Sequence, residues 1–469
     1  MCGFGNMYFS PQRKEANTIM NQIKSALKIA LCAIVLAISF TSYAKDVNSQ
    51  KTAAFPDLHS ALVGAEFNNE KITALENRMR QFVSDGDTMG IATLLVHDGK
   101  VVSHTQAGVR DMIAGAPIAE DTIYRIYSMT KPITGVAMMK LYEQGNFSLD
   151  DPVSKFIPEF KDLEVVKSYE KDGSFEVEAL ERQPTMRELM SHTAGFAYGL
   201  YGGDPANLAF MKQGVLGSAD LQVFIDKVAT IPLMHQPGKH WFYSAAVDIQ
   251  GAIIERITGM TLAEYFSSEI FVPLGMPDTA FYVSADKTDR LSDVFAYHPE
   301  TKKFQRMPFI EQKYNRLGDM SYRKETLRME SGGGGLVSTL ADYARFCQML
   351  ANGGELGGVR VLNAASIELM RTNVLSDQQN MNIAGTLTEV ESDRLGFGLN
   401  VGTIRTSAAE KSGISKGSYY WGGAAGTWFW IDPANNLYFI GMIQRFQQGG
   451  PVVDFRGVSQ ALVYDALLK

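Results

Sequence analysis

The sequence predicts an α+β fold: one antiparallel sheet built from N- and C-terminal segments and flanked by helices, with a mostly helical domain inserted between those segments. Three observations predict it. A β-hairpin pattern occurs near residue 100, a second occurs near residue 435, and amphipathic helical patterns fill most of the chain between them. The 469 residues, 45% hydrophobic and 20% charged, suit two or three domains of ordinary globular composition.

The first hairpin pattern is GIATLLVHDGKVVSHTQAGVRD, residues 90–111. Two runs rich in apolar and β-branched residues flank Asp98-Gly99, a dipeptide that favours the tight two-residue turns of hairpins. We therefore expect two neighbouring strands of the sheet here.

The middle of the chain has the apolar periodicity of helices. In PITGVAMMKLYEQG, residues 132–145, apolar positions recur at helical spacing and Gly145 provides a stop. Three further stretches of this kind end at Gly or His: PTMRELMSH, AVDIQGAIIERITG and TLADYARFCQMLANGG. These patterns predict a helical subdomain of approximately residues 126–359.

The second hairpin pattern, TWFWIDPANNLYFIGMIQ at residues 427–444, turns between Asp432 and Asn436. We therefore assign a sheet subdomain to approximately residues 70–125 and 360–469. A cleft at the junction of the two subdomains is the expected ligand site.

The first 44 residues have the pattern of a leader. From Met20, two lysines precede an uncharged apolar run over residues 29–40, and Ser42-Tyr43-Ala44 follows it. This order is typical of a secretory signal peptide cleaved after Ala44, with Met20 as the expected start. The apolar run is too short for a comfortable membrane-spanning helix. We expect residues 45–469 to form one exported, periplasmic domain without stable membrane insertion.

Charge and cysteine content narrow the partners of residues 45–469. Removal of the leader takes away four basic and one acidic residue, so that 40 basic and 50 acidic residues remain. The resulting net charge of −10 disfavours binding to nucleic acid and to anionic lipid. Only Cys347 remains, so we expect no internal disulfide and a buried, apolar role for this residue. His235 and His240 lack helical ligand spacing and a third ligand, so we expect no metal and no other cofactor.

The pattern Ser-x-x-Lys raises the question of a nucleophile, and it occurs six times, starting at Ser25, Ser42, Ser128, Ser168, Ser284 and Ser321. Two occurrences fall in the leader and three in polar stretches expected to face solvent. Ser128 stands at the start of a helix, because Pro132 is tolerated only near a helix start. Lys131 shares its helical face, and apolar neighbours favour a neutral amine that can take the serine proton. The alternative is a serine helix cap beside a lysine that reaches solvent.

Six blocks appear in a fixed order: YRIYSMTKPITG, PTMRELMSHTAGF, YSAAVDIQGAIIERITG, PLGMPDT, SGGGGLVSTLADYARF and WGGAAGTWFWIDP. Together they span about residues 120–433. By these blocks the chain resembles the serine β-lactamase-like superfamily, which holds class C β-lactamases, DD-peptidases and family VIII carboxylesterases. The resemblance implies a β-lactamase/transpeptidase-like fold and a serine hydrolase that works through an acyl-enzyme.

The resemblance also implies roles for single residues. Ser128 matches the acylating nucleophile and Lys131 its base. Tyr243 matches the tyrosine that shares the proton transfer, either as a tyrosinate favoured by the nearby ammonium or as a hydrogen-bond relay. The backbone N–H groups of Ser128 and Ala424 match the oxyanion hole. The alternative for Tyr243 is a buried aromatic residue with one satisfied hydroxyl.

Two motifs depart from those of the antibiotic-hydrolysing members. Trp421, Gly422 and Gly423 replace the Lys-Thr-Gly whose cation meets the antibiotic carboxylate. Ala245 replaces an asparagine that can grip the substrate amide. Trp-Gly-Gly, together with the Tyr-Ser-x-Ala-x-Asp pattern of residues 243–248, resembles the family VIII esterases. These features favour a carboxylesterase for short-chain esters with residues 421–423 in its substrate site; the alternative for these three residues is a strand-end turn packed by an aromatic side chain.

Other functions stay open: a β-lactamase or DD-peptidase, an acyltransferase, and a non-catalytic protein that binds peptidoglycan or another ligand. The last is disfavoured because the serine, the lysine and the tyrosine are all present. His192 in SHTAGF suggests a catalytic triad, but the serine already has a lysine base. SGGGGLVST lacks the ending of a phosphate loop and predicts a tight backbone turn. Aromatic residues in GFAYGLYGG and GSYYWGG line a substrate pocket or serve ordinary packing. The sequence sets no oligomeric state.

Overall fold

The structure of the protein is a computed structural model. It describes residues 58, 64–170, 174–200, 203–298, 300–306, 322, 329–377, 379, 394–406, 413–446 and 450–468. The predicted leader, residues 1–44, lies outside the described residues, as do Ser25, Ser42 and Ser321. All described residues belong to one compact unit, Ala53–Lys469.

Helices and strands alternate irregularly along the described chain. Apart from short 3-10 and π turns, its helices are α1 (Asn69–Ser84), α2 (Thr130–Glu143), α3 (Met186–Met190), α4 (Pro205–Lys212), α5 (Leu221–Val228), α6 (Ala246–Thr258), α7 (Leu262–Phe266), α8 (Val272–Leu274), α9 (Leu340–Ala351), α10 (Ala364–Arg371) and α11 (Phe455–Ala466). Its strands are β1 (Gly90–His97), β2 (Lys100–Gly108), β3 (Tyr124–Arg125), β4 (Glu164–Tyr169), β5 (Phe175–Ala179), β6 (Phe295–His298), β7 (Lys303–Arg306), β8 (Val337–Ser338), β9 (Glu355–Leu356), β10 (Val359–Arg360), β11 (Leu395–Phe397), β12 (Gly402–Ile404), β13 (Tyr419–Gly422), β14 (Trp428–Asp432), β15 (Leu437–Met442) and β16 (Arg445–Phe446).

The main sheet has seven strands in the order β11-β12-β13-β14-β15-β1-β2, and every neighbouring pair is antiparallel. The N-terminal strand β1 pairs with the C-terminal strand β15, in a register that places Ala92 opposite Met442 and His97 opposite Leu437. The predicted α+β fold, with one sheet assembled from both ends of the chain, is confirmed.

Both predicted hairpins are present. Asp98 and Gly99 close the β1–β2 turn with φ angles of 48° and 70°, the left-handed values that such a two-residue turn requires. In the β14–β15 turn, the Asp432 side chain accepts hydrogen bonds from the backbone N–H groups of Ala434 and Asn435. These bonds fix the turn, because they satisfy backbone donors that no strand partner reaches.

Helices cover both faces of the main sheet. Neighbouring residues of a strand point to opposite faces, and in β14 the side chains of Trp428 and Phe429 do so. Trp428 contacts Phe455 of α11, with ring centroids 6.3 Å apart, and Phe429 contacts Tyr343 of α9 at 5.4 Å. Cys347 is buried in α9, as expected.

The inserted segment is less purely helical than the periodicity predicted. It also forms the hairpins β4–β5 and β6–β7. Strand β6 pairs in parallel with β16, with Phe295 opposite Arg445, so a C-terminal strand joins a sheet of the inserted segment. The division into a sheet subdomain and a helical subdomain therefore stays a prediction. Across the described residues, no helix is both long and apolar enough to cross a membrane.

Candidate active site

Ser128 lies in a short 3-10 turn that leads directly into α2. The preceding residue, Tyr127, has a φ angle of 43°, which is uncommon for a residue with a Cβ atom, so the backbone is strained at this point. A distant segment of the same polypeptide holds the backbone in this conformation, because the Ile126 N–H donates to the Leu336 carbonyl at 3.1 Å. As a result Ser128 stays partly exposed, whereas Lys131 points into the interior.

The Lys131 amine is fully enclosed, and three oxygen atoms surround it. Its Nζ donates to the Gly333 carbonyl at 2.7 Å and to Tyr198 Oη at 3.1 Å, and lies 3.4 Å from Ser128 Oγ. The Tyr243 ring also faces the amine, with its centroid 4.5 Å from Nζ. The amine therefore has three oxygen atoms and the Tyr243 ring as close neighbours.

The predicted tyrosine reaches the same serine. Tyr243 Oη donates a hydrogen bond to Ser128 Oγ at 2.7 Å. The Trp421 ring packs beside the phenol, with centroids 5.5 Å apart. The Trp421 indole also lowers the pKa of Tyr243, against the effect of burial. Ser128 Oγ thus has an amine and a phenol as immediate neighbours.

Burial sets the protonation of both neighbours. It lowers the pKa of Lys131 to about 7, and the Asp248 carboxylate opposes this shift. It raises the pKa of Tyr243 well above the usual range, a rise that the Ser128 hydroxyl and Trp421 only partly oppose. Burial therefore disfavours the tyrosinate alternative for Tyr243 and favours the hydrogen-bond relay, because an enclosed phenolate lacks solvation.

A glycine-rich loop supplies the backbone acceptor for Lys131. In the loop Ser331–Gly335, the Gly333 carbonyl binds the amine and the Gly332 carbonyl accepts from Thr134 Oγ1 at 2.7 Å. Gly333 also donates its N–H to Asp248 Oδ1 at 3.1 Å. A Cβ atom on Gly333 would lie 2.5 Å from Asp248 Oδ2, so this close approach requires glycine. The tight backbone turn predicted for this stretch therefore belongs to the site.

Tyr198 is held in place by a buried amide. Asn207, at the start of α4, accepts hydrogen bonds on Oδ1 from the N–H groups of Tyr198 at 3.0 Å and Gly199 at 2.8 Å. Its own amide group donates to Asp204 Oδ2 at 2.7 Å. This network fixes the loop that carries the Tyr198 hydroxyl to Lys131.

The Trp421-Gly422-Gly423 stretch lies at the end of β13 and begins the turn that follows it, residues 423–427, here called the β13 turn. It lies next to the 3-10 turn Tyr127–Met129, here called the serine turn. Trp421 is buried, and a Cβ atom on Gly423 would lie 2.4 Å from the Ile126 carbonyl oxygen, so the two backbones are in close contact. Ala424 is exposed in the following turn, which is closed by hydrogen bonds from Gly423 N–H to the Thr427 carbonyl and from Gly426 N–H to the Gly423 carbonyl. The Ala424 N–H takes no part in closing that turn.

His192 lies behind the tyrosine. Its Nδ1 accepts a hydrogen bond from the Ser244 N–H at 3.1 Å and lies 3.0 Å from Ser244 Oγ. Burial, assisted by Lys131, lowers the pKa of His192 well below its ordinary value. A neutral histidine paired with Ser244 supports the backbone next to Tyr243.

Among the described residues, no group of three or more His, Cys, Asp or Glu side chains could hold a metal ion.

Sequence reasoning did not single out three participants: the Tyr198 hydroxyl, the Gly333 carbonyl and Asp248. Tyr198 is 67 residues from Lys131 in the chain and Gly333 is 202 residues away, so no local spacing connects them. Tyr198 does stand in one of the two aromatic stretches considered for the pocket, and Asp248 ends the Tyr-Ser-x-Ala-x-Asp pattern. These two patterns mark Tyr198 and Asp248 as residues near a substrate site, but neither pattern indicates a contact with Lys131.

Comparisons with known proteins show the family to which the chain belongs. The sequence model of the Beta-lactamase family matches residues 75–462. Protein Rv1367c of Mycobacterium tuberculosis is 32% identical over 372 residues, covering 78% of this chain and 88% of the relative. Esterase EstB of Burkholderia gladioli is 28% identical over 376 residues, with the same two coverages of 78% and 88%.

Solved structures show the same fold. Simvastatin synthase (LovD) from Aspergillus terreus matches with a TM-score of 0.71 at 22% identity, covering 85% of this chain and 98% of that one. EstCE1, a hydrolase with promiscuous acyltransferase activity, matches with a TM-score of 0.65 at 23% identity and the same coverages of 85% and 98%. Together with the family match over most of the chain, these findings show that the protein belongs to the β-lactamase family and is a serine hydrolase with the β-lactamase/transpeptidase-like fold.

Proposed function

We propose that the protein is an exported carboxylesterase that cleaves short-chain esters through an acyl-enzyme on Ser128. One observation carries the proposal: a buried lysine with a pKa near 7 and a neutral tyrosine both stand within hydrogen-bond distance of Ser128 Oγ. This combination provides a base that is neutral in a substantial fraction of the molecules near pH 7, beside a partly exposed hydroxyl.

Acylation follows from the contacts of the Lys131 amine. A neutral amine has two N–H groups and one lone pair. The Gly333 carbonyl and Tyr198 Oη accept the two N–H groups, which leaves the lone pair for Ser128. As Ser128 Oγ attacks the ester carbonyl, its proton passes to Lys131 and a tetrahedral intermediate forms. The bond to the alcohol then breaks, Tyr243 gives its proton to the alcohol oxygen, and the ammonium restores the phenol.

Deacylation reverses this order with water in place of the alcohol. Water gives a proton to Lys131 through Tyr243 and attacks the acyl carbon, and Ser128 recovers its proton when the acid leaves. The negative oxygen of both intermediates is assigned to the N–H groups of Ser128 and Ala424. In support, the exposed Ala424 N–H is not used to close its own turn, and close backbone packing at Gly423 brings that turn to the serine.

The residues that line the site support neutral esters as the substrate class. Trp421 is buried against Tyr243 and Phe397, where an antibiotic-hydrolysing relative would present a cation. Ala245 is also buried and offers no side-chain amide. Neutral, apolar esters lose less solvation in such a site than a lactam carboxylate does. The names of two relatives, esterase EstB and lovastatin esterase from Penicillium rubens, support ester substrates.

Acyl transfer to an alcohol is a second candidate. Monacolin J acid methylbutanoyltransferase of Aspergillus terreus is 31% identical over 165 residues, which cover 35% of this chain. In the deacylation step an alcohol would replace water without any change in the proton path. Product analysis with an added alcohol distinguishes the two: a new ester indicates transfer, and free acid alone indicates hydrolysis.

Export has its own test, because the leader lies outside the described residues. We expect the mature protein in the periplasm to begin at Lys45, and N-terminal sequencing of the periplasmic fraction measures this directly. A protein that keeps residues 20–44 and stays in the cytoplasm would refute export without affecting the proposed chemistry.

The esterase proposal is tested with purified protein lacking the leader. We expect kcat/KM for p-nitrophenyl acetate or butyrate to exceed that for a penicillin by a wide margin. Trp421→Lys should narrow the margin, because one charge-assisted hydrogen bond to the lactam carboxylate contributes about 1.5–3 kcal/mol. Wild-type protein that turned over penicillins faster than every simple ester tested would overturn the proposal.

A further inference from the structure

Asp248 is a buried carboxylate to which the proposed mechanism gives no role. It lies in the first turn of α6 and is fully buried. Its Oδ1 accepts hydrogen bonds from Ser331 Oγ and from the Gly333 N–H. Its Oδ2 has no hydrogen-bond partner among the described residues. A buried carboxylate with one bare oxygen is energetically costly, so its presence calls for an explanation.

Two connections lead from this carboxylate to Lys131. The first is mechanical: Gly333 donates its N–H to Asp248 at 3.1 Å and accepts Lys131 Nζ on its carbonyl at 2.7 Å. The second is electrostatic: the carboxylate raises the pKa of Lys131 against the effect of burial. In return, Lys131 lowers the pKa of Asp248, which burial raises. Each group therefore favours the charged form of the other.

We propose that Asp248 is a positioning residue for Lys131, which holds the Gly333 carbonyl against the amine and supplies the buried negative charge that keeps this amine an effective base. The inference rests on the proposed function, in which Lys131 takes the proton of Ser128. Asp248 touches neither the serine nor the expected place of the ester, so it acts only through the lysine and the Gly333 loop.

Other titratable groups around the amine do not supply such a charge. Tyr198 Oη accepts from Nζ, and the Tyr243 ring faces it. Burial keeps the Tyr243 phenol neutral by raising its pKa, and keeps His192 neutral by lowering its pKa. Among these described groups Asp248 is the carboxyl group, and Lys131, the Ser331 hydroxyl and the Gly333 N–H all favour its charged form against burial.

Loss of that charge has two opposite effects on catalysis. Burial would then lower the pKa of Lys131 without opposition, so the amine would stay neutral to lower pH. The same amine would be a weaker base, so its maximal rate of proton abstraction would fall. A smaller amount of folded protein lowers the measured rate by the same factor at every pH and does not move the pH at which the lysine titrates.

The test is Asp248→Asn, which has nearly the same shape. The amide oxygen can still accept from Ser331 and Gly333, and the amide nitrogen takes the place of the bare oxygen. The acid limb is the low-pH part of the kcat/KM profile, over which activity rises with pH as Lys131 loses its proton. We expect this limb to move to lower pH in the variant, and the constant value of kcat/KM at higher pH, the plateau, to fall. At about pH 6 the variant should keep a fraction of its own plateau about threefold larger than the wild type keeps.

Asp342→Asn is the matched control. Asp342 is also buried, with its pKa raised to about 6 by burial, but its side chain accepts from the Asp278 N–H and Thr279 Oγ1 in another part of the fold. Its substitution should leave the acid limb in place. An acid limb that stays at the wild-type pH in Asp248→Asn, or moves to higher pH, would overturn the inference.

A second variant covers the case in which Asp248→Asn does not fold. Ser331→Ala removes a hydrogen bond that stabilises the Asp248 anion, so the limb should move in the same direction by a smaller amount. An unmoved limb in folded Ser331→Ala would then refute the role of Asp248. Failure of the proposed function is distinguishable, because wild-type protein would then show no acylation of Ser128 at any pH.

Discussion

At the scale of single residues, the chemistry depends on burying a lysine without giving it a full salt bridge. Lys131 has two neutral oxygen partners and a carboxylate that acts through Gly333, so its amine is solvated by dipoles more than by charge. Beside this amine, Tyr243 Oη donates a hydrogen bond to Ser128 Oγ at 2.7 Å. An ammonium in this environment loses solvation that a neutral amine does not need, and this difference produces the base.

The first prediction concerns stability and pH. The pKa of Lys131 is about 7 in the folded protein and about 10.5 in the unfolded chain. Between these values the unfolded chain binds more protons, so the free energy of unfolding should increase as pH rises from 7 toward 10. Lys131→Met should lose this contribution. Urea unfolding at several pH values measures it, and equal pH slopes in the two proteins would contradict the lowered pKa.

The second prediction concerns the proton path. Lys131→Ala and Tyr243→Phe should each lower kcat for ester hydrolysis by roughly 10³-fold or more, and the double variant should be little worse than the more damaged single variant. Groups that act as one unit are not additive, because removing either one already breaks the path. Losses in activation free energy that added fully would show that the two residues act independently.

At the scale of elements, the site depends on how closely the β13 turn approaches the serine turn. Gly423→Ala should push these backbones apart, since the new Cβ would lie 2.4 Å from the Ile126 carbonyl oxygen and 2.3 Å from Thr427 Oγ1. We expect kcat to fall about tenfold or more with the fold retained, because the oxyanion donors move away from the reacting carbon.

Gly217→Ala is the control for that substitution. A Cβ atom at Gly217 meets no described atom within 4 Å. Its ester activity should match that of the wild type. Wild-type activity in Gly423→Ala would show that the β13 turn does not carry an oxyanion donor.

The sequence predicted those elements whose signals are local. Asp98-Gly99 marks a hairpin turn, and Ser128 with Pro132 marks the start of α2, because turn and helix-start preferences act within a few residues. The Gly333 carbonyl and the hydroxyl of Tyr198 could not be predicted in this way. They come from loops far away in the chain, and a backbone carbonyl leaves no residue-type signature. Burial is a further property that the sequence does not show directly: it disfavours the tyrosinate alternative for Tyr243, which rested on the charge of Lys131.

At the scale of the whole molecule, the first and last described helices and the residues next to them pack together beside the sheet. The Asn68 N–H donates to the Ala466 carbonyl at 2.9 Å, and Phe67 forms a bridge with Leu467. Phe455 of α11 packs on Phe82 of α1, with ring centroids 4.6 Å apart. The sheet that supports the β13 turn therefore depends on contacts between the first and last described helices.

The last substitution tests whether the packing of α11 on α1 stabilises the fold. Phe455→Ala should lower the free energy of unfolding by about 3–5 kcal/mol, because it leaves a cavity between α1, α11 and Trp428. Leu468→Ala, at a side chain that is 54% exposed, should have little effect. Equal stabilities of the two variants would contradict this role of the packing. The acid limb of the folded Phe455→Ala protein should remain at the wild-type pH, since Lys131 is not touched.

The central claim is that Ser128 is acylated, and trapping the adduct tests it most directly. Protein lacking the leader is mixed with a fluorophosphonate or a slowly hydrolysed p-nitrophenyl ester, digested, and analysed by peptide mass spectrometry. The account predicts one adduct per chain, on Ser128, formed faster as pH rises through about 7 and lost in Ser128→Ala. Ester turnover without an adduct on Ser128, or an adduct on another serine that persists in Ser128→Ala, would contradict it.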